Sequence, residues 1–117
     1  MAKIIITDDE PMNRRMTEFM LTKNGYETVK AASGEECLSK LSDGADLVLL
    51  DVMMPDMDGY EVLEYMNFNG VLKRTPAIMV TGADSAEDEE KCLRMGAMDF
   101  VRKPYVTDVK TAGKKRR

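Results

Sequence analysis

The run Leu47-Val48-Leu49-Leu50 has no polar alternation and ends abruptly in Asp51, followed by a turn-rich segment with Pro55, Asp56, Asp58 and Gly59. Four consecutive branched apolar residues fit a strand covered on both faces, the signature of a parallel sheet flanked by helices. In open sheets of that kind, ligands bind outside the carboxyl ends of the strands. Asp51 stands at such an end and is a site candidate on position alone.

The rest of the chain repeats this grammar. Lys3 to Thr7 is a β-branched strand that runs into Asp8, Asp9 and Glu10. Pro11 suits the first turn of a helix. Met12, Met16, Phe19 and Met20 then fall at i, i+4, i+7 and i+8, one apolar face, and Asn24-Gly25 supplies the stop. Tyr26 to Ala32 reads as a second strand. Ser33 with Glu36 forms a capping box for a helix carrying Cys37, Leu38 and Leu41, which Ser42-Asp43-Gly44 ends.

Asp58-Gly59 opens a third helix with Val62, Leu63 and Met66 inward, ending near Asn69-Gly70. Pro76 to Thr81 is a fourth buried strand. Asp84 or Ser85 caps a fourth, acid-rich helix with Cys92 and Leu93 inward and Gly96 as its stop. Phe100 to Arg102 is a fifth strand, closing on Lys103-Pro104. Strands alternating with helices, joined by short connections and right-handed crossovers, predict an α/β fold: a doubly wound, five-stranded parallel sheet with helices on both faces.

The chain's 117 residues suffice for one core. A net charge of −4 offers no general case for nucleic-acid binding, and the basic run Lys114-Lys115-Arg116-Arg117 reads as a solvated tail. No apolar stretch reaches the roughly 20 residues of a membrane span. Met1 to Ile6 is too short an apolar run for a signal peptide, so the expected location is cytoplasmic. Cys37 and Cys92 sit in helical patterns and read as buried small hydrophobes. With no histidine in the sequence, His-based acid–base chemistry and His metal ligation are excluded, and any metal must be held by oxygen.

The strand ends collect Asp8 and Asp9 from the first strand, Asp51 from the third, Thr81 from the fourth and Lys103 from the fifth. In a parallel sheet these ends share one edge. Three converging carboxylates repel one another, and a hard divalent cation relieves the repulsion; Mg²⁺ suits a water-completed oxygen site. A carboxylate nucleophile, a divalent cation, an ammonium and a hydroxyl are the parts needed to take up a phosphoryl group, giving an aspartyl phosphate on Asp51.

At this point the chain resembles a response-regulator receiver domain, over residues 3 to 104. The matching features are Asp8-Asp9, Asp51 followed by Met-Met-Pro-Asp-Met-Asp-Gly, Thr81-Gly82-Ala83, Gly96-Ala97, and Phe100 with Lys103-Pro104. The resemblance implies a flavodoxin-like, chemotaxis-receiver-like strand order 2-1-3-4-5 and a role in two-component signal transduction rather than enzymatic turnover.

It implies that Asp51 is the phosphoacceptor, served by a sensor histidine kinase or phosphotransfer protein. Mg²⁺ would be held by Asp9, Asp51 and the backbone carbonyl of Met53, with Asp8 binding through water. Lys103 would pair with the phosphoryl oxygens. Thr81 would shift toward the phosphoryl group and let the switch aromatic Phe100 turn inward, altering the face made by the fourth helix, fifth strand and last helix. Met53 and Ala83, both apolar, imply slow self-dephosphorylation. An output domain, fused or separate, would read the switched face.

The pattern departs at the end of the chain. Residues 1–105 form the expected receiver domain and 106–117 an atypical segment and basic tail. Tyr105, Val106 and Val109 make one turn of apolar face, interrupted by threonines, where the family has an amphipathic fifth helix. Either the last helix is short, a neighbouring chain takes its place, or the sequence is a piece of a longer protein. An uncovered apolar patch there favours a homodimer through the fourth-helix, fifth-strand edge.

Three other readings compete. A haloacid-dehalogenase-like phosphatase places a second aspartate two residues after the nucleophile, where this chain has Met53. A nucleotide-binding flavodoxin-like protein needs a glycine-rich phosphate loop after the first strand, where this chain has three acids. The remaining alternative is a receiver-like protein-binding or dimerisation module that is never phosphorylated.

Overall fold

The computed structural model describes residues 1–82 and 86–102. Strands β1 (Lys3–Thr7), β2 (Glu27–Ala31), β3 (Leu47–Asp51), β4 (Ala77–Thr81) and β5 (Asp99–Arg102) alternate with helices α1 (Pro11–Lys23), α2 (Gly34–Leu41), α3 (Gly59–Phe68) and α4 (Ala86–Arg94). A short 3₁₀ turn, Val71–Lys73, precedes β4. The strands are parallel and ordered β2-β1-β3-β4-β5. This is the doubly wound arrangement the sequence predicts.

Period-two alternation assigns the sheet's two faces. Ile5, Val48, Leu50 and Met79 are fully buried in a core completed by Cys37 of α2, Val62, Leu63 and Met66 of α3, and Cys92 of α4. On the other face, Ile4, Leu47, Leu49, Ile78, Val80 and Val101 line an apolar groove of about 460 Å³ that also touches Met20 and Leu21 of α1. Both cysteines are buried free thiols, as expected. Burial pushes the Cys37 thiol up to about 11 although the Thr7 side chain works against it.

Two helices turn differently from their expected faces. Met12, Met16 and Phe19 of α1 are exposed, and the helix instead buries Thr17, with Met20 and Leu21 half-buried. Periodicity identifies a stripe, but the strand that feeds the helix sets its rotation about its axis. On α4, Cys92 is inward as expected but its neighbour Leu93 is 44% exposed, one residue further round the helix.

The expected α4 cap at Asp84 or Ser85 lies outside the described residues, as do Ala83, Lys103, the apolar turn of Tyr105, Val106 and Val109, and the basic tail.

Candidate functional site

The parallel register brings the carboxyl ends of β1, β3 and β4 side by side. Thr7 lies level with Leu50, and Asp51 level with Val80. Asp51 is thus the last residue of β3 and Thr81 the last of β4, while Asp8 follows β1 directly. One carboxylate oxygen from each of Asp8, Asp9 and Asp51 lies within 4.8 Å of the others. Asp8, Asp51 and Thr81 are buried, at 6%, 3% and 0% exposure; Asp9 is exposed at the mouth.

Local hydrogen bonds fix Asp8 and Asp51. Asp8 Oδ1 accepts the Glu10 backbone N–H at 2.9 Å, an Asx turn that carries the chain round into α1. Glu10, not either aspartate, is the N-cap of α1, accepting the Met12 N–H. That leaves the aspartate pair out of the capping role. Arg14 reaches back from α1, its Nη1 donating to the Asp8 carbonyl at 2.7 Å, and ties the helix to the acid-bearing turn.

Asp51 Oδ1 accepts the Met53 backbone N–H at 3.3 Å, and the Val52 N–H donates to the Val80 carbonyl at 2.9 Å. The loop then folds back so that the Gly59 N–H donates to the Val52 carbonyl at 2.9 Å. Met53 itself projects outward, its side chain 69% exposed.

Gly59 does more than open α3. A Cβ at this position would stand 2.8 Å from Val52 Cα and 3.0 Å from the Asp51 carbonyl carbon, and closer still to the Asp51 carbonyl oxygen. The first turn of α3 is pressed against the backbone of the candidate nucleophile. In the sequence this glycine reads as a helix opener only, because the contact is tertiary and leaves no local signal. Arg14 likewise carries no mark of its carbonyl partner, whereas the Glu10 cap is a local bond to the residue after Pro11. Asp58, one residue earlier, closes a full capping box with Glu61.

Phe100 is 8% exposed and packs in the main core. The Arg102 guanidinium lies 5.9 Å from the Phe100 ring centroid.

The donor set suits a hard cation. All three candidate ligands are carboxylates, and oxygens opposite one another around octahedral Mg²⁺ stand only about 4.2 Å apart. A cluster spanning 4.8 Å accommodates such an ion with a small contraction, or with water between the metal and the outlying acid. Softer metals have no sulfur or nitrogen ligand in this cluster.

Comparison with known proteins agrees with this geometry. Residues 4–111 match the family model of the response regulator receiver domain. The chain is 35% identical over 88% of its length to the alkaline phosphatase synthesis transcriptional regulatory protein PhoP of Bacillus subtilis, and covers 42% of that protein. It is 32% identical to protein PilG of Pseudomonas aeruginosa over 88% of its length and 77% of that protein. The chemotaxis protein CheY4 of Vibrio cholerae superposes with a TM-score of 0.84 at 33% identity, over 97% of this chain and 98% of that one. The chain therefore spans less than half of a relative such as PhoP and nearly all of a relative such as CheY4.

Proposed function

This chain belongs to the response regulator receiver domain family of two-component signalling, and we propose that Asp51 is its phosphoacceptor, working with Mg²⁺. The observation that carries the reading is the convergence of Asp8, Asp9 and Asp51 within 4.8 Å at neighbouring strand ends, beside the fully buried Thr81. Asp9, Asp51 and the Met53 carbonyl would hold the ion directly, with Asp8 reaching it through water. The ion would supply positive charge to offset that on the phosphoryl oxygens.

In the transfer, an Asp51 carboxylate oxygen forms the bond to phosphorus as the bond to the donor's leaving group breaks; the donor is a phosphohistidine of a kinase or phosphotransfer partner. The Thr81 hydroxyl donates to a phosphoryl oxygen, and Lys103 supplies a compact positive charge. Burial of Asp51 strips bulk water from the reacting oxygen, and the Met53 N–H bond to its carboxylate holds the side chain's orientation. Apolar Met53 at the mouth cannot orient a hydrolytic water, which favours a long-lived phosphoaspartate.

The output is a population shift in α4 and β5, carried by Thr81 and transmitted through the packing of Phe100, and read in the cytoplasm by an output partner or a second copy of the chain. Sedimentation at high concentration, with and without phosphorylation, tests the self-association: a monomer throughout removes the dimer from the reading.

The decisive experiment for the acceptor is intact mass after incubation with acetyl phosphate. We expect a hydroxylamine-labile gain of one phosphoryl group that requires Mg²⁺, disappears with chelator and is absent in Asp51→Asn. A folded wild-type chain that gains nothing would leave the unphosphorylated binding module as the better reading.

A further inference from the structure

We propose that Met53 is an oxidation site, and that its conversion to the sulfoxide by a peroxide shortens the life of a phosphoryl group on Asp51. This rests on the phosphoacceptor reading above and adds a redox control to it.

Met53 stands two residues after Asp51, just beyond the end of β3. Its backbone N–H lies 3.3 Å from Asp51 Oδ1, yet its side chain is 69% exposed. The other methionines of this turn differ: Met54 is buried and Met57 half-buried. Those of the core, Met66 and Met79, are sealed from solvent. A thioether beside the acceptor is therefore open to small solutes. The thiols that would ordinarily compete for a peroxide are withdrawn. Cys37 and Cys92 are both fully buried, and burial raises both above the ordinary thiol range, which suppresses the reactive thiolate. Oxidation thus falls on the exposed thioethers, and among them Met53 is held by its own backbone bond to the acceptor carboxylate.

In the oxidation, the thioether sulfur takes one peroxide oxygen as the O–O bond breaks, and water leaves; sulfur loses the two electrons that the peroxide gains. The product carries a polar sulfoxide oxygen where the thioether was a weak acceptor. The direction of the effect follows from the geometry of hydrolysis. Water approaches phosphorus in line, opposite the Asp51 oxygen that leaves. Asp51 is backed by the core, so that line runs in from the open mouth, where Met53 projects. A thioether gives the incoming water no firm partner, whereas a sulfoxide oxygen accepts one of its hydrogens and holds it for attack. The bond from water oxygen to phosphorus forms as the bond to Asp51 breaks. The products are the free carboxylate and inorganic phosphate, with the water's protons kept on the phosphate or passed to solvent.

The test follows loss of the phosphoryl group by intact mass in the full chain. Wild type, Met53→Leu and Met53→Gln are each divided, and one half is treated with hydrogen peroxide and then catalase. All are then loaded with acetyl phosphate and Mg²⁺ and freed of the donor, and peptide mass mapping locates the oxidised residues. We expect Met53 to gain one oxygen, and oxidised wild type to lose its phosphoryl group about two- to tenfold faster than untreated, the effect of one hydrogen bond to the attacking water. Peroxide should not change the rate of Met53→Leu, which keeps the exposed Met12 and Met98. Met53→Gln, which sets a carbonyl oxygen at similar reach, should lose the group faster than Met53→Leu without any peroxide.

Four results would each overturn the redox control while the acceptor reading stands: Met53 left unoxidised in the folded chain, oxidised wild type that loads poorly or loses the group no faster, equal acceleration in Met53→Leu, or Met53→Gln no faster than Met53→Leu. If untreated wild type takes up no phosphoryl group, the acceptor reading falls and the redox control falls with it.

Discussion

Replacing Gly59 by alanine tests whether the acceptor loop and α3 are as closely apposed as described. An added Cβ meets Val52 Cα at 2.8 Å and the Asp51 carbonyl carbon at 3.0 Å, with the Asp51 carbonyl oxygen nearer still. Real Cβ atoms essentially never come within 3.0 Å of such neighbours, so the backbones must separate by well over half an ångström. All three obstacles are main-chain atoms held in the sheet, where the Val52 N–H is bonded to Val80. Overpacking a yielding site costs about 1–3 kcal/mol, and an unyielding one belongs at or above the top of that range.

Gly34 supplies the comparison. Its added Cβ meets Val62 Cγ2 at 2.8 Å and Met57 Cγ at 2.9 Å, side-chain atoms that can move, although Met57 O stands at 3.0 Å. Urea denaturation should therefore rank Gly59→Ala as losing about 3 kcal/mol and Gly34→Ala about 1. Displacing Asp51 by a similar distance should slow phosphoryl uptake from acetyl phosphate by roughly 100-fold. A Gly59→Ala protein no less stable than Gly34→Ala, with normal uptake, would refute the close approach.

Two further outcomes follow from the same coordinates. Asp56 occupies the left-handed region with φ 66°, which strains an L side chain. Asp56→Gly should gain about 0.5–1 kcal/mol and Asp56→Ala should lose about 1 kcal/mol in thermal or urea unfolding; equal stabilities would sink this. The second concerns pH. In the folded chain burial holds the Cys37 thiol protonated up to about 11, against 9.0 for an ordinary thiol. Between those values the unfolded chain binds fewer protons than the folded one, so stability falls as pH rises through that window, by about 2–3 kcal/mol in total. Denaturation under reducing conditions should show that slope in wild type and a shallower one in Cys37→Ala, since the Cys92 and Tyr60 groups, also raised, contribute with the same sign.

The sheet was legible because each buried strand announces itself as an unbroken apolar run, and each run stops at a polar residue. That rule alone picks out Asp8, Asp51 and Thr81 together. The interior of α3 was equally plain, since Val62, Leu63 and Met66 are all fully buried. α1 was not. Its strongest apolar stripe faces solvent, and the residue it buries is Thr17, because the helix rotates to suit the turn after β1 rather than its own composition. The contacts that frame the site, the Arg14 hydrogen bond to the Asp8 carbonyl and the press of Gly59 on Asp51, depend on how the chain folds back on itself. An arginine and a glycine on a helix carry no local mark of such partners.

The strand order also governs when the acidic pocket comes into being. The three strands that build it, Lys3–Thr7, Leu47–Asp51 and Ala77–Thr81, are neighbours in the sheet but far apart along the chain. Parallel pairing requires a crossover for every step, and long-range closures of this kind are slow relative to helix formation. No local fragment, and no nascent chain released before residue 81, holds the complete carboxylate–hydroxyl set. On the phosphoacceptor reading proposed above, competence to accept a phosphoryl group would therefore come only with the closing of the sheet's centre, and a half-folded molecule would be a silent one and not a mis-signalling one.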